Sequence, residues 1–291
     1  MKFVRIIPRL DIKGPNLVKG IHLEGLRVLG KPEDFARYYY EMGADELLYM
    51  DVVASLYNRN SLLDIVGKTA REIFIPLTVG GGLRTINDIR RVLRAGADKV
   101  SLNTAAIRNP EIIREAARTF GSSTILVSIE AIRHPDGRYY VYTDNGREHT
   151  GIDVFEWAIR VAELGAGEIM ITSVDCEGTG TGYDLELTRR IAESVSIPVI
   201  AGGGAGKRQH VVDVIKQGKA DAVSLASILH YDFLEHHTPL SNDFRSEGNI
   251  QFLKQRTCPS YLKPENLRTL KKYLASEGIA CRTDASKEGI S

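Results

Sequence analysis

Residues 73–107 read IFIPLTVGGGLRTINDIRRVLRAGADKVSLNTAAI, and residues 195–229 read VSIPVIAGGGAGKRQHVVDVIKQGKADAVSLASIL. The second stretch restates the first, with Gly82 answered by Gly204 at a step of 204 − 82 = 122 residues. Each copy runs strand, glycine loop, amphipathic helix, short strand, polar loop. In the first copy Ile75 to Val79 is an apolar run, after which Ile86, Ile89, Val92 and Leu93 recur at helical spacing. A glycine triplet between a strand and a helix lets backbone N–H groups approach an anion, and the helix that follows adds its positive pole. A single triplet reads more readily as a tight turn alone. Two copies, each with a further polar loop (Ser101, Asn103 and Thr104; Ser224 and Ser227), point to a ligand with a phosphate at either end.

Outward from these copies the chain alternates strand and helix throughout. Apolar strands are expected at 4–12, 46–52, 74–79 and 97–102, with helices at 32–42, 62–70, 86–94 and 110–119 between them. After Gly121 the order repeats: strand 124–130, helix 152–164, strand 168–174, helix 184–194, strand 197–201, helix 207–217, strand 220–225. Even the joints correspond, since Gly43-Ala44-Asp45-Glu46 and Gly165-Ala166-Gly167-Glu168 are again 122 apart. Eight such units in two similar halves imply a closed parallel (β/α)8 TIM barrel with an internal two-fold half-barrel repeat, about 1–120 and 121–230. An open doubly wound sheet explains the alternation but not the repeat. The whole of 1–291 reads as one barrel domain with a final helix at about 265–277 and a polar tail at about 284–291.

The bulk numbers restrict function by exclusion. Lys plus Arg total 38 against 37 Asp plus Glu, so a net charge of +1 gives no general attraction to nucleic acid or membrane, and anion binding must be local. No apolar run has the length of a membrane span, and the start MKFVRIIPRLDIK is charged where a signal peptide needs its apolar core, which points to a cytoplasmic protein. Cys176, Cys258 and Cys281 are far apart without a CxxC, which suits neither a disulfide framework nor a structural zinc site. No cofactor and no metal is expected.

Barrel chemistry sits at the C-terminal strand ends. Asp11 ends the first strand and Glu130 the fifth, so two carboxylates are expected to face each other across the mouth between the two phosphate loops, suited to giving and taking a proton. Strand parity sends Arg5 and Arg9 to the same side as Asp11. Arg5 lies near the bottom, where Glu46, Lys99 and Glu168 at strand starts would close a ring of alternating charge. From spacing alone that ring reads as a stability device of the bottom face.

The runs RIIPRLDIK, GADELLYMD, FIPLTVGGGLR, RAGADKVSLNTAAI, GAGEIMITSVDCEGTGTGYDLELT, SIPVIAGGGAG and ADAVSLASILHY together resemble the cyclase subunit family of imidazole glycerol phosphate synthase. The resemblance covers about 1–232 and resumes at about 265–283. It implies ring closure in histidine biosynthesis, with ammonia from a glutaminase partner docked on the bottom of the barrel and a bisphosphorylated substrate. Asp11 and Glu130 take the positions of the two catalytic acids. Gly82, Asn103 and Thr104 correspond to one phosphate site, Gly203, Gly204 and Ser227 to the other, and Glu177 to a further active-site acid. Arg5, Glu46, Lys99 and Glu168 correspond to an ammonia gate, replacing the stability reading of that ring. Asp98 corresponds to a residue at the glutaminase interface.

Three departures bear on chemistry. Glu130 and Glu177 stand where the family has aspartate, and Arg9 where it usually has cysteine; an inward Arg9 beneath Asp11 is expected to hold a carboxylate ionised. Residues 235–262, with His236, His237 and Cys258, are inserted before the last helix as a surface elaboration, an oligomer contact or a lid over the mouth. These departures keep open a paralogue that uses ammonia to amidinate surface-polysaccharide sugars, and a non-catalytic activator of a glutaminase.

Overall fold

A computed structural model describes residues 3–52, 62–237 and 258–282. Eight parallel strands close on themselves: β1 (Arg5–Lys13), β4 (Leu47–Asp51), β5 (Leu77–Gly80), β6 (Lys99–Leu102), β7 (Ile125–Arg133), β10 (Glu168–Ser173), β11 (Val199–Gly202) and β12 (Ala222–Leu225). Two pairings complete the cylinder. β1 lies in register with β12 (Arg5 opposite Ala222), and β7 with β10 (Glu130 opposite Thr172). The barrel expected from the repeat is therefore the barrel observed.

Alternation decides which residues meet inside. Ile7, Leu48, Leu126, Met170, Ile200 and Ala222 form an apolar cluster in the lumen, while their neighbours Ile6, Leu47, Val127 and Ile169 pack outward under the helices. Those helices are α1 (Pro32–Glu41), α2 (Leu63–Thr69), α3 (Ile86–Ala95), α4 (Thr104–Arg108), α5 (Glu111–Phe120), α6 (Val154–Glu163), α7 (Leu185–Ser194), α8 (Arg208–Lys216), α9 (Ser227–His236) and α10 (Leu267–Ser276). α3 shows why these segments start and stop where they do. Thr85 and Asp88 form a reciprocal capping box at its start, and Gly96 closes it with φ 119°.

The joints Gly43-Ala44-Asp45, Gly96-Ala97-Asp98 and Lys219-Ala220-Asp221 have a structural use. Asp45, Asp98 and Asp221, each just before a strand, accept hydrogen bonds from the N–H of Ile6, Leu77 and Val199 at the start of the preceding strand. The fourth joint carries Gly167, where a Cβ would lie 2.2 Å from the Ser122 carbonyl oxygen. At the bottom, α10 is tied in by buried Lys271, whose Nζ reaches Asp45 Oδ1 at 2.8 Å and the Gly43 carbonyl at 2.7 Å.

Two features differ from the reading of the sequence. The segment after β1, expected as a loop, is an antiparallel hairpin, β2 (Asn16–Ile21) and β3 (Glu24–Gly30), and β7 is followed by its two-fold counterpart, β8 (Tyr139–Thr143) and β9 (Glu148–Asp153). The polar loops after β6 and β12 are the first turns of α4 and α9. α9 also runs through His236, so the first residues assigned to the insertion are helical. The 238–257 part of the insertion and the polar tail lie outside the described residues.

Candidate active site

The mouth of the barrel holds two cradles related by the internal repeat. After β5, Gly81 and Gly82 take φ 99° and 69°, backbone that favours glycine, and lead to the capped end of α3. Asn103 and Thr104 open α4 beside them. Between these segments a cavity of about 240 Å³ is lined by Gly82, Arg84, Asn103, Thr104 and Arg108 and extends to Glu130. Ser101 Oγ and Asn103 Oδ1 on its wall are buried and have no hydrogen-bond partner among the described residues. A polar ligand would meet that need.

After β11, Gly203 and Gly204 take φ 86° and 106°, and a Cβ on Gly204 would stand 2.0 Å from the Gly182 carbonyl oxygen. Ser227 opens α9, whose N-cap Ala226 has no side-chain cap, so the first N–H groups of a ten-residue helix have no cap bond there. A small cavity lined by Arg9, Gly203, Gly204, Ser224 and Ser227 adjoins a larger one of about 270 Å³ between Lys19, Arg27, Tyr231 and Tyr261. The returning end of the insertion thus reaches the mouth through Tyr261 and Leu262.

The acids stand between the cradles, all three deeply buried. Asp11 Oδ1 is ion-paired with Arg9 Nε at 2.8 Å, so Arg9 does point inward. Burial opposes the charge on Arg9, yet the carboxylates of Asp11, Glu177 and Glu130 raise its pKa above that of an ordinary arginine. Glu130 Oε2 accepts from the Gly146 N–H at 2.9 Å. Burial pushes the Glu130 carboxyl up to about 7, opposed by Arg9 and the Gly146 amide and helped by Asp144 and Asp11. Glu177 is ion-paired with buried Lys19 of β2, and the His22 N–H donates to the Glu177 carbonyl at 2.8 Å, so the first hairpin is stapled to the loop after β10.

At the opposite end the ring closes as spacing suggested. Arg5 reaches Glu46 at 3.0 Å and Glu168 at 2.7 Å, and Lys99 Nζ reaches the same two carboxylates at 3.0 and 3.1 Å. Glu46 also accepts from Thr78 Oγ1 at 2.5 Å. Exposed Phe3 and Phe74 flank strand starts on this face, and Asp98 lines a shallow depression beside Phe74 while holding the Leu77 N–H.

The sequence reading missed Lys19, Arg108 and Asp144. Lys19 belongs to the unrecognised first hairpin. Asp144, Asn145 and Gly146 form the turn of the second, with φ of 53°, 61° and 74°, and Arg108 Nη2 approaches Asp144 Oδ2 at 3.5 Å. That turn had a signal: Asn145-Gly146 between YYVYT and EHTGID is a strong hairpin pattern. In the described ends of the insertion, His236 and His237 bond through Nδ1 to the Asp232 and Phe233 carbonyls, and the Cys258 thiol to the Pro259 carbonyl. No helix among the described residues is long and apolar enough to cross a membrane.

A family model described as histidine biosynthesis protein matches residues 5–235, stopping one residue short of the end of α9. The imidazole glycerol phosphate synthase subunit HisF of Legionella pneumophila is 60% identical over 207 residues, 71% of this chain and 98% of that protein. HisF subunits of Alkaliphilus metalliredigens and Methanocaldococcus jannaschii are each 50% identical, covering 78% of this chain and 90% of their own lengths. With its two-fold barrel, paired cradles and this likeness, the chain belongs to the histidine biosynthesis protein family, among the HisF subunits of imidazole glycerol phosphate synthase.

Proposed function

We propose that this chain is the cyclase subunit of an ammonia-dependent imidazole glycerol phosphate synthase. Its reaction is the conversion of the phosphoribulosyl-formimino-aminoimidazole carboxamide ribonucleotide to imidazole glycerol phosphate and aminoimidazole carboxamide ribotide. The observation that carries this reading is the pair of cradles on opposite sides of the mouth with Asp11 and Glu130 between them. The two cradles hold the two phosphates through glycine amides, Asn103, Thr104 and Ser227. The reacting centre is thereby suspended over the acids, and positioning of this kind lowers the barrier by removing orientational freedom. Glu130, with a carboxyl near 7, donates a proton at neutral pH, while Asp11, ion-paired with Arg9, accepts one.

Ammonia enters from a glutaminase subunit docked on the bottom face around Phe3, Phe74 and Asp98. The Arg5–Glu46–Lys99–Glu168 ring is its gate, with Lys99 as the member that swings, because a flexible stem carries its single ammonium. Steady-state turnover of the bisphosphate substrate with ammonium salt tests the reading. Product is expected from the chain alone and lost in Asp11→Asn. The Arg9–Asp11 pair favours a second reading, a changed acceptor such as a surface-polysaccharide sugar, and binding of the bisphosphate without turnover would select it.

A further inference from the structure

The phosphate cradle at Gly203, Gly204 and Ser227 holds a buried cation that its glycine motif does not announce. Arg9 is 6% exposed and lines the small cavity of that cradle. Its bond to Asp11 uses Nε, and no described hydrogen bond engages the two terminal amino groups, which lie at the far end of the guanidinium. The other charged group beside the cradle is Glu177. A Cβ on Gly203 would lie 3.2 Å from Glu177 Oε2, while Lys19 holds Oε1. Without Arg9 this cradle would present glycine amides, the start of α9 and a Glu177 carboxylate already neutralised by Lys19, with no cation in its lining to face a dianion. A guanidinium, with donors on a rigid planar fork, can serve an acid through one edge and a phosphate through the other.

We propose that Arg9 is a phosphate-binding residue of the second cradle, its guanidinium shared between Asp11 and the phosphate monoester that lodges against Gly204 and Ser227. The proposal rests on the reading of both glycine loops as phosphate sites. It gives Arg9 a direct role in ligand binding, beyond fixing Asp11.

Inorganic phosphate is the probe, titrated into the ¹⁵N-labelled full chain with the amides of Gly82 and Gly204 as separate reporters. Both amides shift in the parent. In Arg9→Gln the Gly204 affinity falls by about tenfold to a hundredfold, the worth of one charge-assisted hydrogen bond, and Gly82 is unchanged. Asp11→Asn, which frees the fork from its acid, retains or tightens phosphate at Gly204. Arg9→Lys keeps the charge without the fork and loses about tenfold at Gly204, so it carries the test if Arg9→Gln does not fold. Parental affinity at Gly204 in a folded Arg9 variant overturns the proposal. A parent in which neither glycine responds to phosphate overturns the underlying reading of the cradles.

Discussion

At the scale of single residues, the site is defined by carboxylates that the barrel has taken out of water. Glu130 is the clearest case. An ordinary glutamate ionises near 4.5 and this one near 7, so the folded chain keeps the proton where the unfolded chain has released it. The stability tied to that proton is complete below about pH 4.5 and is lost as pH rises toward 7, a loss of about 3 kcal/mol. Glu130→Gln, which cannot ionise, is expected to unfold at higher urea than the parent at pH 8, with the difference closing as pH falls toward 4.5. A difference independent of pH would show that Glu130 titrates like a surface glutamate. In the proposed reaction the same residue is the proton donor, so turnover should fall above about pH 7, and the residual turnover of Glu130→Gln should have no such limb. Arg9 illustrates what a sequence does convey at this scale. Parity with Asp11 was enough to point it inward, whereas its place against Gly203, Gly204 and Ser227 required β1 to be set beside β12.

At the scale of elements, glycine loops and short helices divide the labour of the cradles. Gly204 has both positive φ and no room, so Gly204→Ala is expected to abolish phosphate response at that cradle and to destabilise the chain by at least about 2 kcal/mol, through backbone strain and the clash with Gly182. Gly137→Ala is the control, with φ 83° and nothing within 4 Å of the added methyl. It should cost about 1 kcal/mol and leave phosphate binding intact. Equal effects in urea unfolding would mean that φ alone, and not the close approach, makes Gly204 obligatory. α9 makes the complementary point. Residues Ser227 to Leu234 are all buried, so the helix lacks the one-sided pattern that marks a surface helix, and its first turn read as a polar loop. The hairpins escaped for a related reason. Among the described residues β2 pairs only with β1 and β3, and β8 only with β7 and β9, outside the strand–helix period that identified everything else.

At the scale of the whole molecule, the barrel separates a charged floor from a charged mouth by an apolar lumen. The floor ring joins segments of four strands, and Glu46 at its centre is 2% exposed and serves Arg5, Lys99 and Thr78 together. Glu46→Ala leaves those cations short of one carboxylate and should destabilise the chain by about 3 kcal/mol in urea unfolding at neutral pH. Ammonia-driven turnover should persist in this variant while glutaminase-coupled turnover falls; equal loss of both would make the ring a stability device alone. What the sequence determined by itself was the architecture, because a repeat of 122 residues and the alternation of strand with helix are one-dimensional patterns that a closed eight-strand barrel satisfies. Parity along β1 and the placing of acids at strand ends are also one-dimensional, and they located Asp11, Glu130 and the members of the ring. Only the tertiary structure decided which distant groups meet: Lys19 with Glu177, Glu130 with Gly146, and Arg9 with the cradle of Gly203, Gly204 and Ser227. Those contacts join residues from separate strands and loops, and their geometry follows from strand register and barrel closure, which no local stretch of chain encodes.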